Sequence, residues 1–207
     1  MAFYRELATQ PFADRANAEG APFPAIGYAR IGHIEHYLQN YGAAVEARQQ
    51  AVTLVREALA RNPADRSVRG ALAEACYELG RSLVPLARFQ EAQEAYDQAM
   101  TVTEQLVRED PGAQHYQFSI ARLQAAQAVV LVQTGELRRA RQVGQVAREA
   151  LLTFRSDTLT EKITDRLLRE ERIRCGYWLA KAAMYAGDQP GLGRGKLCIW
   201  QRVRAAQ

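Results

Sequence analysis

Residues 79–99 read LGRSLVPLARFQEAQEAYDQA, and residues 31–51 read IGHIEHYLQNYGAAVEARQQA. Laid over one another at an offset of 48 positions, the two stretches align without a gap. Gly32 falls on Gly80, Leu38 on Leu86, Ala44 on Ala92, Glu46 on Glu94, Gln50 on Gln98 and Ala51 on Ala99. Conservative pairs join them, Ile31 with Leu79 and Tyr41 with Phe89, and further along Pro63 meets Pro111. A second step of the same length carries Gly80 onto Ala128, Leu83 onto Leu131, Ala92 onto Ala140 and Ala99 onto Ala147. Self-similarity at a fixed period marks a repeat architecture.

Each period reads as a pair of helices. Alanine, leucine, arginine, glutamate and glutamine dominate, all good helix formers. The seven prolines and fourteen glycines sit mostly between periodic segments or near the ends. A first helix runs to a turn near Gly42, Ala87 or Gly135. The second, for example from Ala43 to about Arg61, ends at Asn62-Pro63 or Asp110-Pro111. Proline cannot continue a helix and drives the preceding residue out of the helical region. Small residues at Gly32, Gly80 and Ala128, and at Ala44, Ala92 and Ala140, let the helices of a pair approach closely. Ala51, Ala99 and Ala147 leave room for the next pair. A lone pair leaves one apolar face bare, so at least three must stack.

The expected organisation is an N-terminal extension or cap over 1–23, then three repeats at about 24–63, 64–111 and 112–157. A degenerate fourth hairpin and C-terminal cap fill 158–207. There Thr158 to Glu161 reads as a capping box opening a helix that reaches about Ala186. Leu179, Ala180, Ala183 and Gly187 make it the first helix of a fourth unit, displaced about one turn from the strict period. Leu197 to Val203 reads as a short closing helix, with Trp200 over the last hairpin's core.

Leu79-Gly80, Leu83, Ala87, Phe89, Ala92, Tyr96 and Ala99 resemble the pattern of the tetratricopeptide repeat. Ile31-Gly32, Tyr41, Ala44 and Ala51 repeat it, and Ala128, Leu131, Gly135, Ala140 and Ala147 echo it. The resemblance spans about 24–155 and is to a long-period variant, since the family's usual period is about 34. It implies an all-α fold, a right-handed α-α superhelix (solenoid) of three to four hairpins whose first helices line the inner, concave wall. Long variants of this kind resemble the arrays attached to large bacterial signalling proteins.

The family's groove positions fall on His33, His36 and Tyr37 in the first unit and on Tyr77 and Arg81 in the second. They fall on Arg122, Val129 and Gln133 in the third and on Tyr177 and Lys181 in the fourth. For each of them, packing against a neighbouring hairpin is the other reading. The lysine–asparagine clamp with which some relatives hold a C-terminal carboxylate is missing, because Ala29 and His33 stand at its positions. The implied function is a protein-interaction scaffold or adaptor. A basic, aromatic wall suits a protein or peptide segment carrying acidic and apolar residues, and an uncapped end hairpin invites self-association. A peptide- or ligand-sensing regulatory module is the alternative, and a nucleic-acid binder or helical enzyme ranks third.

The charge balance weighs against nucleic acid. The net charge is +4, from 27 basic and 23 acidic side chains. Arg138, Arg139, Arg141 and Arg148 form one local cluster. A second, Arg166, Arg169, Arg172 and Arg174, is interleaved with Asp165, Glu170 and Glu171, as a solvated helix face would be. The three cysteines, Cys76, Cys175 and Cys198, have no metal or redox spacing and read as reduced thiols. The first residues lack the apolar run of a signal peptide, and no stretch approaches the ~18 apolar residues of a membrane span. A cytoplasmic location is expected.

Neither a cofactor nor a metal is expected, and catalysis is not. A phosphate loop over Gly191 to Lys196 would need glycine where Pro190 stands and serine or threonine where Leu197 stands. His33 and His36 share a helix but have no third zinc ligand. No nucleophile–base arrangement stands out in the order of the residues.

Overall fold

The computed structural model describes residues 21–154 and 164–186. Residues 1–20 of the expected 1–23 cap, the capping box at Thr158 and the closing helix with Trp200 lie outside the described residues. Seven helices make up the described chain: α1 (Phe23–Tyr37), α2 (Tyr41–Arg61), α3 (Arg66–Leu83), α4 (Phe89–Glu109), α5 (Gln114–Thr134), α6 (Leu137–Thr153) and α7 (Asp165–Ala186). A 3₁₀ turn, Val84–Leu86, extends α3, and no strand occurs among the described residues. This is an all-α helical repeat array. It divides into two units, Met1–Leu123 and Gln124–Gln207, with the division inside α5.

The period seen in the sequence is also written in the backbone. Three residues 48 apart adopt left-handed conformations: Gln39 (φ 63°), Ala87 (φ 56°) and Gly135 (φ 86°). The amide after each closes the preceding helix, Asn40 donating to the Glu35 carbonyl at 2.8 Å, Arg88 to Leu83 at 3.2 Å and Glu136 to Leu131 at 2.8 Å. Such bonds satisfy carbonyls that the helix end would otherwise orphan. The turn residue of the first pair is therefore Gln39 and not Gly42, which lies within α2.

A left-handed backbone costs an L-residue about 1–2 kcal/mol, and only glycine escapes it. Gln39→Gly and Ala87→Gly are each expected to stabilise the protein, by about 0.5–1 kcal/mol after the added entropy of the unfolded chain. Gly135→Ala should destabilise by about 1 kcal/mol. Chemical-denaturation midpoints of the three variants check this.

The ends of the second helices repeat as well. Asn62 (φ −139°, ψ 80°) and Asp110 (φ −144°, ψ 82°) leave the helical region just before Pro63 and Pro111. The Asp65 carboxylate then starts α3, accepting from the amides of Ser67 at 2.9 Å and Val68 at 3.1 Å. That is the ordinary chemistry of an N-cap.

Packing follows the small residues. Ala44, Ala92 and Ala140 are at most 1% exposed, and Ala51, Ala99 and Ala147 at most 2%. A Cβ placed on Gly32 would lie 2.6 Å from Arg48 Cγ, and one on Gly80 only 2.4 Å from the Tyr96 ring. Each glycine thus seats a large side chain from the second helix of its own pair. The third pair reverses the arrangement. Ala128 faces Gly144, and the missing Cβ of Gly144 admits Leu179 of α7, whose Cδ2 would lie 2.7 Å from it. Around this seat Leu131, Val132, Ala140 and Ala182 are buried, with Leu137, Val143, Trp178 and Tyr185 packed on them.

The strict period continues into α7 without displacement. Gly176 stands 48 positions after Ala128, and Leu179 stands 48 after Leu131. Leu168 and Cys175 of α7 are buried, as are Leu72 and Leu79 of α3 two periods earlier. Gly176 thus stands at the small-residue register in α7, while Gly187, on which the expected one-turn displacement rests, lies outside the described residues. Buried Cys76 and Cys175 are free thiols, and burial pushes Cys76 up to about 11, which keeps it protonated.

Candidate partner-binding surface

In the first unit the side chains on α1 and α3 meet a buried charge from α2. Arg48 is only 3% exposed. Its guanidinium pairs with the Glu78 carboxylate at 2.6 Å, donates to the Ser82 hydroxyl at 2.7 Å and also reaches the Glu78 carbonyl. Glu78 in turn takes Arg81 at 2.8 Å and lies 4.0 Å from Arg122. Burial alone would raise the Glu78 carboxyl, but Arg81, Arg48 and Arg122 outweigh it and hold the group at about 2. Arg122 reaches back from α5 to Glu74, with contacts of 3.2 and 3.3 Å. Its guanidinium lies 4.2 Å from the centre of the Tyr77 ring and 5.8 Å from that of Phe118.

Tyr77 and Arg122 are therefore structural. Tyr77 is 2% exposed and also packs against Tyr96, with ring centres 6.1 Å apart. Arg81, half-buried, is engaged by Glu78. The positive wall expected over Arg81 and Arg122 is neutralised from within by Glu74 and Glu78. What α1 leaves open is Tyr37, 83% exposed, together with exposed His33 and Leu38.

His36 faces inward. Its Nδ1 lies 3.0 Å from the Ser82 hydroxyl, and its ring meets Tyr41 edge-on at 5.3 Å. Burial, then the charges of Arg48 and Arg81, lower it to about 4, against a smaller upward pull from Glu78 and with His33 adding to the depression. The unfolded chain, where the ordinary value of 6.5 applies, then takes up this proton first. Its contribution to stability is complete above pH 6.5 and lost as pH falls towards 4. His36→Asn is expected to flatten the change in denaturation midpoint between about pH 7.5 and pH 5.

In the second unit the structure separates the expected residues again. Val129 is buried and Gln133 half-buried on α5. On α7 Tyr177 is 58% exposed, and with Ile173, Ala180 and Met184 it makes an open apolar stripe. Lys181 beside it lies 4.6 Å from the Trp178 ring, 5.6 Å from Tyr185 and 5.9 Å from Tyr177, so its ammonium rests among three aromatic faces. Among the described residues no three His, Cys, Asp or Glu side chains gather as a metal site, and no helix is long and apolar enough to cross a membrane.

Sequence reasoning did not find Arg48, Glu74, Glu78 and Ser82. One signal was present: Arg48 stands at the position where the next units carry Tyr96 and Gly144, an arginine in a core register.

The family model described as tetratricopeptide repeat matches residues 73–106. That span runs from within α3 to near the end of α4. The first turns of α3, the last residues of α4 and the loop to α5 fall outside it, and they account for the long period. No curated protein matches the chain. Among solved structures, the crystal structure of BtubC (BKLC) from P. vanneervenii is similar, with a TM-score of 0.56 and 16% identity over 94% of this chain and 76% of that chain. At that identity the likeness is one of fold.

Proposed function

The chain carries a tetratricopeptide repeat within a helical array, and on that premise we propose that it is a scaffold or adaptor holding a protein or peptide segment on the faces of its first helices. Binding, not catalysis, is its task. One observation carries the reading: each unit leaves large side chains uncovered on a first helix. They are Tyr37 and Leu38 at the end of α1, and Ile173, Tyr177 and Met184 on α7. Tyrosine offers a partner a large area with a polar handle, at little entropic cost. The reduced thiols of Cys76 and Cys175 support a cytoplasmic setting.

A photo-crosslinking side chain placed at 37 or 177 is expected to capture a partner segment, whereas one at exposed Glu46 on α2 should not. Capture at 46 alone, or at none of the three, sinks the proposal.

A further inference from the structure

Every complete pair in the array covers the small residue of its first helix with its second helix. Arg48 covers Gly32, Tyr96 covers Gly80, and Gly144 meets Ala128. Gly176 stands at the same register in α7, and nothing among the described residues lies within 4 Å of a Cβ built on it. A cleft of about 330 Å³ opens there. Its floor is Gly176, Leu179 and Ala183 of α7, and its rim is Arg141, Gln145 and Arg148 of α6. The rim residues are spaced one turn apart on one helix face, and all three are exposed. The Arg148 guanidinium makes no hydrogen bond or ion pair among the described residues, while neighbouring Glu149 is taken by Gln145.

We infer that this cleft is a docking slot for a helical segment of a partner protein, apolar on the face that meets α7 and acidic where it passes Arg141 and Arg148. The slot supplies the two features a second helix needs: a glycine for close approach and an apolar floor. Along one edge it continues into the exposed stripe of Ile173, Tyr177, Ala180 and Met184. The rim sets the sign of the occupant. Guanidinium groups bind carboxylates through paired, charge-assisted hydrogen bonds. The chain's own residues 187–207 are a poor match, for they carry Arg194, Lys196, Arg202 and Arg204 against Asp188 alone. The apolar floor favours a peptide over a nucleic acid, whose backbone would place phosphates over Leu179 and Ala183.

This rests on the scaffold reading and assigns it a site distinct from the open side chains of α1. The test uses the full chain and labelled helical peptides of about four turns, apolar on one face. One peptide carries glutamates beside the apolar face, a second glutamines and a third lysines. A single-stranded oligonucleotide and a peptide copy of residues 189–207 complete the set. The glutamate peptide is expected to bind roughly tenfold or more tighter than the glutamine one. Arg141→Glu and Arg148→Glu should each weaken it roughly tenfold, and Gly176→Leu should abolish binding by filling the slot. Arg141 and Arg148 are exposed and a Cβ on Gly176 meets open space, and retained folding is checked by circular dichroism.

Equal binding of the three peptides overturns the inference, as does indifference to all three substitutions. Tighter binding of the oligonucleotide or the 189–207 peptide also overturns it, as does a dimer that Gly176→Leu dissolves. Capture at 37 or 177 alongside any of these leaves the scaffold reading standing and removes only the slot.

Discussion

Glu78→Ala is expected to cost about 3–5 kcal/mol of stability, a large part of the 5–15 kcal/mol typical of a folded domain. The loss comes less from the attraction removed than from the charge left behind. Arg48 would remain buried at 3% exposure, with only the Ser82 hydroxyl and a backbone carbonyl to stabilise it. Its Nε already lacks a hydrogen-bond partner. Arg81 and Arg122 would lose a shared counter-charge as well. Arg48→Met combined with Glu78→Gln should be considerably less damaging than Glu78→Ala, since it removes the buried Arg48 charge together with its counter-charge and leaves only Arg81 and Arg122 short of a partner. Urea denaturation followed by circular dichroism measures the series. A loss below about 1 kcal/mol for Glu78→Ala would mean that water reaches Arg48 after all.

The same carboxylate sets an acid limit. Its folded value of about 2 lies below its ordinary 4.5, so its contribution is complete above 4.5 and disappears as pH falls towards 2. Glu78→Gln is expected to flatten that part of the pH–stability curve and, by removing the upward pull of Glu78 on His36, to carry the lower edge of the His36 region further down from 4.

Gly80→Ala is the second large effect. The new methyl would stand 2.4 Å from one carbon of the Tyr96 ring and 2.8 Å from two others. Tyr96 is 2% exposed and cannot swing into solvent. Overpacking of this kind costs about 1–3 kcal/mol, against a helix-propensity gain of about 1 kcal/mol. Tyr96→Leu should relieve the clash, so the double variant ought to be less damaged than the two single losses combined. The other register glycines grade the effect. At Gly144 the nearest atom is the far end of Leu179, which can rotate, so Gly144→Ala should cost less than Gly80→Ala. At Gly176 there is open space, and Gly176→Ala should be neutral or stabilising by about 1 kcal/mol.

The comparison of glycines shows how far a sequence can be read. Their spacing is plain at Gly32 and Gly80, and it marks the close helix approaches. The alternation of helix formers with Pro63 and Pro111 set the helix ends to within a few residues. What faced each glycine was not legible, because the opposing residue varies from Arg48 to Tyr96 to Gly144. The turn was misplaced in the first pair for a similar reason. Gln39 carries no glycine signature and is held left-handed by the bonds that close α1, while Gly42 offered a false cue.

The candidate surface was legible in half. Register places these residues on the first helices, yet register does not say whether a side chain ends in solvent. His33, Tyr37 and Tyr177 do; Tyr77, Arg122 and Val129 are buried.

By itself, then, the sequence determined the repeat, its period of 48 and the all-helical character, since these depend on local propensity and on spacing along one chain. Only the tertiary structure decided the fate of the charges. Arg48 meets Glu78 thirty positions away, and Arg122 meets Glu74 forty-eight positions away. Pairings across that distance depend on which helix faces are pressed together and how far each group is removed from water. For that reason the expected positive wall is self-neutralised in the first unit, while Arg148 keeps an open charge beside the empty seat at Gly176.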